Sequence, residues 1–184
     1  MRHSGCHSHD EKLCPRNILL AAGADMKWSA LIAVVVTLGL DQGSKSWALS
    51  ALWPPYSAGV ELLPVLNMRL GFNTGITFGL FAQSAASAVW LLVAMKLVVV
   101  AALLVWLVRT TSRMEAVALG LIIGGAIGNI VDRVQLGAVV DFLDAHFQGW
   151  HWPTFNMADV AIVCGVGCLL ASAMRTQAVR PDVR

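Results

Sequence analysis

The chain has 184 residues, 57% hydrophobic and 13% charged, with a formal net charge of +2 and a mean hydropathy of +0.68. Soluble domains carry about 25% charged residues, so this composition is that of a membrane protein. The small net charge and the lack of any long basic run exclude a nucleic-acid-binding surface.

Residues 1–25 read as a polar, irregular extension, disordered and outside the folded domain. Cys6 and Cys14 among His3, His7 and His9 are metal-ligand types, but in a polar tail of this kind they are expected to bind nothing. Met26 opens MKWSALIAVVVTLGL, an apolar run with no small-x-small cleavage site after it, so it reads as a retained membrane helix over Trp28–Leu49. Asp41 and Lys45 lie four residues apart in its later part, where they can form an ion pair on one face. Three further helices are expected over Ala85–Val108, Ala116–Val131 and Ala158–Met174. The short third one carries Gly120, Gly124 and Gly128, a spacing that lets another helix come close. Cys164 and Cys168 in the fourth are read as small buried residues, because neighbours on one helix face rarely meet disulfide geometry. Lys96 stands mid-span in the second with no evident role except facing the bundle interior or snorkelling.

Residues 50–84, with Pro54, Pro55, Pro64 and alternating stretches such as LNMRLGF, read as a small β-rich cap. Residues 132–157 read as a second outer loop, and 177–184 as a tail. The fold class expected is therefore all-α integral membrane, four transmembrane helices with a small extracytoplasmic β-rich cap. Lys and Arg set the orientation. Arg2, Lys12, Arg16 and Lys27 precede the first helix, Arg109 and Arg113 follow the second, and Arg175, Arg180 and Arg184 end the chain. The two opposite loops hold Arg69 and Arg133, so both termini are expected on the cytoplasmic side. Trp47, Trp53, Trp150 and Trp152 fit an outer interfacial belt.

The third and fourth helices run antiparallel, so the ends of their connecting loop meet at the membrane surface. Asp132, Asp141, Asp144 and Asp159 lie on that loop or at its borders. Asp159 opens the fourth helix, where an acid is favoured by the helix dipole but is also costly at membrane depth and hence a functional candidate. Asp144 reads as a solvated loop acid. Two carboxylates held together cannot both ionise easily, so one keeps a proton and the pair can act as base and acid on a peptide bond. Asn73, Asn129, Arg133 and Asn156 gather at the same end. Arg133 either binds a backbone carbonyl through its fork of donors or pairs with Asp132. His146 and His151 match no compact zinc spacing, and no serine-nucleophile motif is present. From another class, a small membrane transporter or proton relay would use the same acids, but a relay spreads its ionisable groups through the membrane depth.

Four blocks in order carry a resemblance. They are DQGSK (Asp41–Lys45), NTGITFGLF (Asn73–Phe81), GNIVDRVQLGAVVDF (Gly128–Phe142) and FNMAD (Phe155–Asp159). Over residues 28–174 the chain resembles lipoprotein signal peptidase, or signal peptidase II. The resemblance implies an intramembrane aspartic endopeptidase that removes the signal peptide from diacylglyceryl-modified bacterial prolipoproteins, cleaving before the lipidated cysteine. It implies Asp141 and Asp159 as the catalytic dyad, choosing Asp141 over Asp144. It assigns supporting roles to Asn73, Asn129, Arg133 and Asn156, with Asp41 and Lys45 as structural polar residues. No metal or cofactor is expected. The expected partners are prolipoprotein substrates, membrane lipids and the inhibitor globomycin, with a monomer in the bacterial inner membrane. Ile76 and Thr77 depart from the small residues usual after N-x-G in the family, and 1–25 lie outside its pattern; neither touches the dyad.

Overall fold

The computed structural model describes residues 15–56, 59–75 and 85–178. Its elements are α1 (Pro15–Ala51), β1 (Val60–Leu63), β2 (Leu66–Asn73), α2 (Ala85–Arg109), α3 (Arg113–Leu136), β3 (Val139–Phe147), β4 (Trp150–His151) and α4 (Met157–Ala178). Ile76 and Thr77 lie outside the described residues, as do 1–14 and 179–184. Residues 15–25 correct the expected irregular head. They form the first turns of α1, because Pro15 suits a helix start and the run after it is rich in good helix formers.

α3 is the central helix and packs against α1, α2 and α4. Its glycines explain how closely. A Cβ on Gly120 would lie 2.6 Å from the Ala30 carbonyl oxygen of α1, and one on Gly124 would lie 2.9 Å from that of Val34. Gly125 on another face meets α4 at Ala158 and Ile162. The small-residue spacing seen in the sequence thus seats α3 against α1, in the manner of membrane helices, while Gly125, outside that spacing, admits α4.

Three helical segments among the described residues are long and apolar enough to cross a membrane: Ser87–Arg109, Arg113–Leu136 and Met157–Arg175. α1 carries Asp41, Gln42 and Lys45 in its later part, after the apolar run from Trp28 to Leu40. The outward faces carry Trp28, Ile32, Val35, Val98, Val163 and Leu170 in the open. Apolar surface this continuous needs an apolar solvent.

The sheet has the antiparallel order β1-β2-β3-β4. The sequence placed strands only in 50–84; the larger β3 comes instead from 139–147, read as loop. Val139, Val140, Asp141 and Phe142 are all buried, so β3 shows no alternation of apolar and polar residues, the signal by which a half-exposed strand is read. Leu70, Val140 and Phe142 pack on Ala48 and Leu52 at the end of α1, which fixes the sheet over that end of the bundle. α3 also runs past Val131 to Leu136, capped by Gly137 at φ 72° with its N–H on the Arg133 carbonyl. Asn129 and Arg133 are therefore one turn apart on the same helix. Cys164 is exposed rather than buried.

Candidate active site

The first turn of α4 is built by a reciprocal cap. The Asp159 N–H donates to Asn156 Oδ1 at 3.0 Å, and the Asn156 N–H donates to Asp159 Oδ2 at 3.3 Å. This is a capping box with aspartate in the third helical position. It turns the Asp159 carboxylate back toward the helix start and satisfies two backbone donors that would otherwise be orphaned.

The amide of Asn156 then reaches β3. Its Nδ2 donates to Asp141 Oδ1 at 2.7 Å, to the Val140 carbonyl at 3.3 Å and to Asn129 Oδ1 at 3.1 Å. Asn129 Nδ2 donates to Asp159 Oδ1 at 2.9 Å. Asp141 and Asp159 are thus both hydrogen bonded to Asn156, one through its side chain and one through the cap. Asn73, at the end of β2, also hydrogen bonds the Asp141 carboxyl. Burial pushes the Asp141 carboxyl up from 3.8 to about 6. The nearby Asp159 charge acts in the same direction, against the Asn73 and Asn156 hydrogen bonds and the Lys45 charge. A carboxyl in that range can both hold and release a proton near neutrality.

Beneath this pair lies a second polar layer on α1 and α3. Lys45 Nζ meets Asp41 Oδ2 at 2.7 Å, Asp132 Oδ2 at 2.8 Å and Asn129 Oδ1 at 3.1 Å, all buried. Gln42 Nε2 donates to Asp132 Oδ1 at 2.9 Å. Asp132 Oδ2 accepts the Val140 N–H at 3.1 Å, and Asp41 Oδ1 accepts the Ala158 N–H at 2.9 Å. One layer therefore ties down both the strand before Asp141 and the helix turn before Asp159. Gly128 is required here, since a Cβ would run into the Asp41 carboxylate.

Asp132 is turned to Lys45, so the local pairing of Asp132 with Arg133 does not form. The Arg133 Nη1 donates to the Asn129 carbonyl at 3.3 Å. Its Nε is buried with no partner among the described residues, and its Nη2 lies beside Gly75. Asp144 is also corrected. It is buried, not solvated, and both its oxygens meet His151 Nδ1, at 2.8 and 3.0 Å. His146 stacks on His151 with ring centroids 5.2 Å apart. Gln42 and the Asp132–Lys45 contact carried no local sequence signal, because their partners are far along the chain.

Two clefts open on the pair from different sides. One of about 410 Å³ is lined by Tyr56, Gly71, Asn73, Asp141 and Thr154. The other, about 290 Å³, is lined by Trp152, Phe155, Asp159, Val160 and Cys164. Lys96 lines a third, apolar groove of about 600 Å³ with Leu92, Val99, Ala126 and Ile162, between α2, α3 and α4.

The family model described as signal peptidase (SPase) II matches residues 32–175, which includes every side chain of this cluster. The chain belongs to the signal peptidase II family. A lipoprotein signal peptidase of Methylorubrum extorquens is 45% identical over 147 residues, covering 80% of this chain and 86% of that one. One of Rhodopseudomonas palustris is 43% identical over 148 residues, covering 78% and 90%. Among solved structures, a bacterial membrane enzyme determined in meso at 2.3 Å aligns with a TM-score of 0.70 at 23% identity, over 84% of this chain and 93% of that chain. A second, at 1.9 Å, also gives 0.70 at 25% identity, over 78% and 91%. Membership in signal peptidase II makes the chain a protease and sets aside the proton-relay reading. The helical spans agree with a multi-pass membrane protein.

Proposed function

We propose that this signal peptidase II removes the signal peptide from diacylglyceryl-modified prolipoproteins, cleaving before the lipidated cysteine, with Asp141 and Asp159 as its catalytic dyad. The observation that carries the assignment is that the two carboxylates meet on Asn156. They do so at the outer end of the bundle, where a sheet closes over apolar helices.

In the proposed reaction the ionised carboxylate takes a proton from water as the water adds to the scissile carbonyl. The protonated carboxyl supports the oxygen of the tetrahedral intermediate. A proton then passes to the leaving amine as the C–N bond breaks. Arg133, whose Nη2 lies beside Gly75, and Asn73 fix the substrate backbone. The lipid tails stay in the bilayer while the scissile segment lies extended under the sheet. No metal or cofactor enters these steps.

α1 is proposed as the fourth membrane span. Its exposed Trp28, Leu31, Ile32, Val35 and Val36 form a lipid-facing stripe, while Asp41 and Lys45 face α3. Both termini lie in the cytoplasm and the dyad near the outer face, in keeping with the Lys and Arg bias. Exposed Trp47, Trp53, Trp150 and Trp152 fit the outer interface. The protein acts as a monomer and binds globomycin in the substrate groove.

The test is cleavage of a diacylglyceryl-modified prolipoprotein by the purified protein, beside Asp141→Asn and Asp159→Asn. The parent is expected to cleave and each folded variant to fall to background. Turnover within tenfold of the parent by either variant would refute the dyad.

A further inference from the structure

Amide oxygen and nitrogen are alike in shape, so the direction in which an asparagine points is set by its hydrogen-bond partners. Asn156 is pinned by a group that can only donate, the backbone N–H of Asp159 on its Oδ1. Asn129 has no backbone N–H on its amide. Its Oδ1 is held by Lys45 Nζ and by Asn156 Nδ2, both at 3.1 Å. Asn156 Nδ2 is divided among three acceptors, with Asp141 nearest at 2.7 Å, which leaves it a weak hold on Asn129. An ammonium is donor-only, and Lys45 has three acceptors for its three N–H groups: Asp41, Asp132 and Asn129.

We infer that Lys45 is a positioning residue for the proposed dyad: its ammonium keeps Asn129 Oδ1 turned inward, so that Asn129 Nδ2 donates to Asp159. This rests on the dyad assignment above. Asp41 and Asp132, both accepting from Gln42 Nε2, hold the ammonium in place, and none of the three has a direct hydrogen bond to either acid of the dyad. With Lys45 removed, the Asp41 and Asp132 oxygens would compete with Asp159 for the Asn129 N–H, and the amide would turn. Asp159 would then lose the hydrogen bond from Asn129, one of the contacts that orient the carboxyl pair and stabilise its charge. The charged groups that face Asp159 are Asp141 on β3, Arg133 on α3 and Lys96 on α2, with Lys45 on α1 beyond Asn129.

The test is the pH profile of kcat/KM. Lys45→Met alone leaves two carboxylates buried without their cation, and it threatens the fold. The informative variant is Lys45→Met with Asp132→Asn, which removes one charge of each sign and leaves the net field nearly unchanged. The expected result is a folded protein whose acid limb lies about one pH unit above that of the parent, with a rate about tenfold lower. Placed in an Asn129→Ala background, the same pair is expected to move the limb no further, because Lys45 acts through Asn129. An acid limb at the parent position in the folded double variant would overturn the inference. So would an additional shift in the Asn129→Ala background, or a double variant that inserts but does not fold, which would assign Lys45 to the fold alone. A parent that cleaves no lipidated substrate at any pH would refute the proposed function instead.

Discussion

Asp141→Asn is expected to stabilise the protein while abolishing cleavage. The carboxyl is 1% exposed, and burial with the Asp159 charge raises it from 3.8 to about 6. A difference of that size is worth about 3 kcal/mol at about 1.4 kcal/mol per pH unit. Its sign is unfavourable to the native state. Below pH 3.8 Asp141 is protonated both folded and unfolded, and it contributes no penalty. Between 3.8 and 6 the unfolded chain ionises first, so native stability falls as pH rises; above 6 the full penalty remains. Asparagine has the same shape and can still accept from Asn156 Nδ2, but it carries no charge to bury. Thermal unfolding of parent and variant in the same detergent, at pH 4 and at pH 8, measures the difference. The expected result is near-equal midpoints at pH 4 and a variant higher by several degrees at pH 8, since about 1 kcal/mol shifts a protein of this size by about 2–4 °C. A variant no more stable than the parent at pH 8 would refute the claim that this carboxylate is held against its solvation preference. Such a trade of stability for activity is common at functional sites.

Asn156→Ala removes the cap of α4 and the amide that touches Asp141. It should lower stability by about 1–2 kcal/mol and reduce cleavage at least a hundredfold, read by thermal unfolding and by turnover of the lipidated substrate. Gly128→Ala drives a methyl into the Asp41 carboxylate and should cost about 1–3 kcal/mol; an unchanged unfolding midpoint would contradict the close approach of α1 and α3. Asp144→Asn keeps a hydrogen bond to His151 and leaves the dyad untouched, so cleavage is expected to stay within about threefold of the parent. Complete loss there would reopen the choice between Asp141 and Asp144.

Several parts of the site were legible because they are local. Asp41 and Lys45 lie one helical turn apart, and they pair at 2.7 Å. Asn129 and Arg133 share a face of α3 for the same reason. Asn156 and Asp159 sit three residues apart at a helix start, where a capping box forms from sequence-near groups. The glycine spacing of α3 announced a close helix neighbour, and composition alone placed the chain in a membrane. Motif order identified the family without any tertiary information.

The tertiary structure decided which distant groups meet. Lys45 reaches Asn129 across 84 positions, and Asp41 caps Ala158 across 117. No periodicity in a single segment records such pairs. It also decided the state of Asp132 and Asp144. Both read as border or loop acids, yet both are buried, one on Lys45 and one on His151. β3 escaped notice because Val139, Val140, Asp141 and Phe142 are all buried, which erases the alternation a strand otherwise shows. Hydrophobic pattern reports which surface leaves water; the partner that covers it is fixed only when the whole chain has packed.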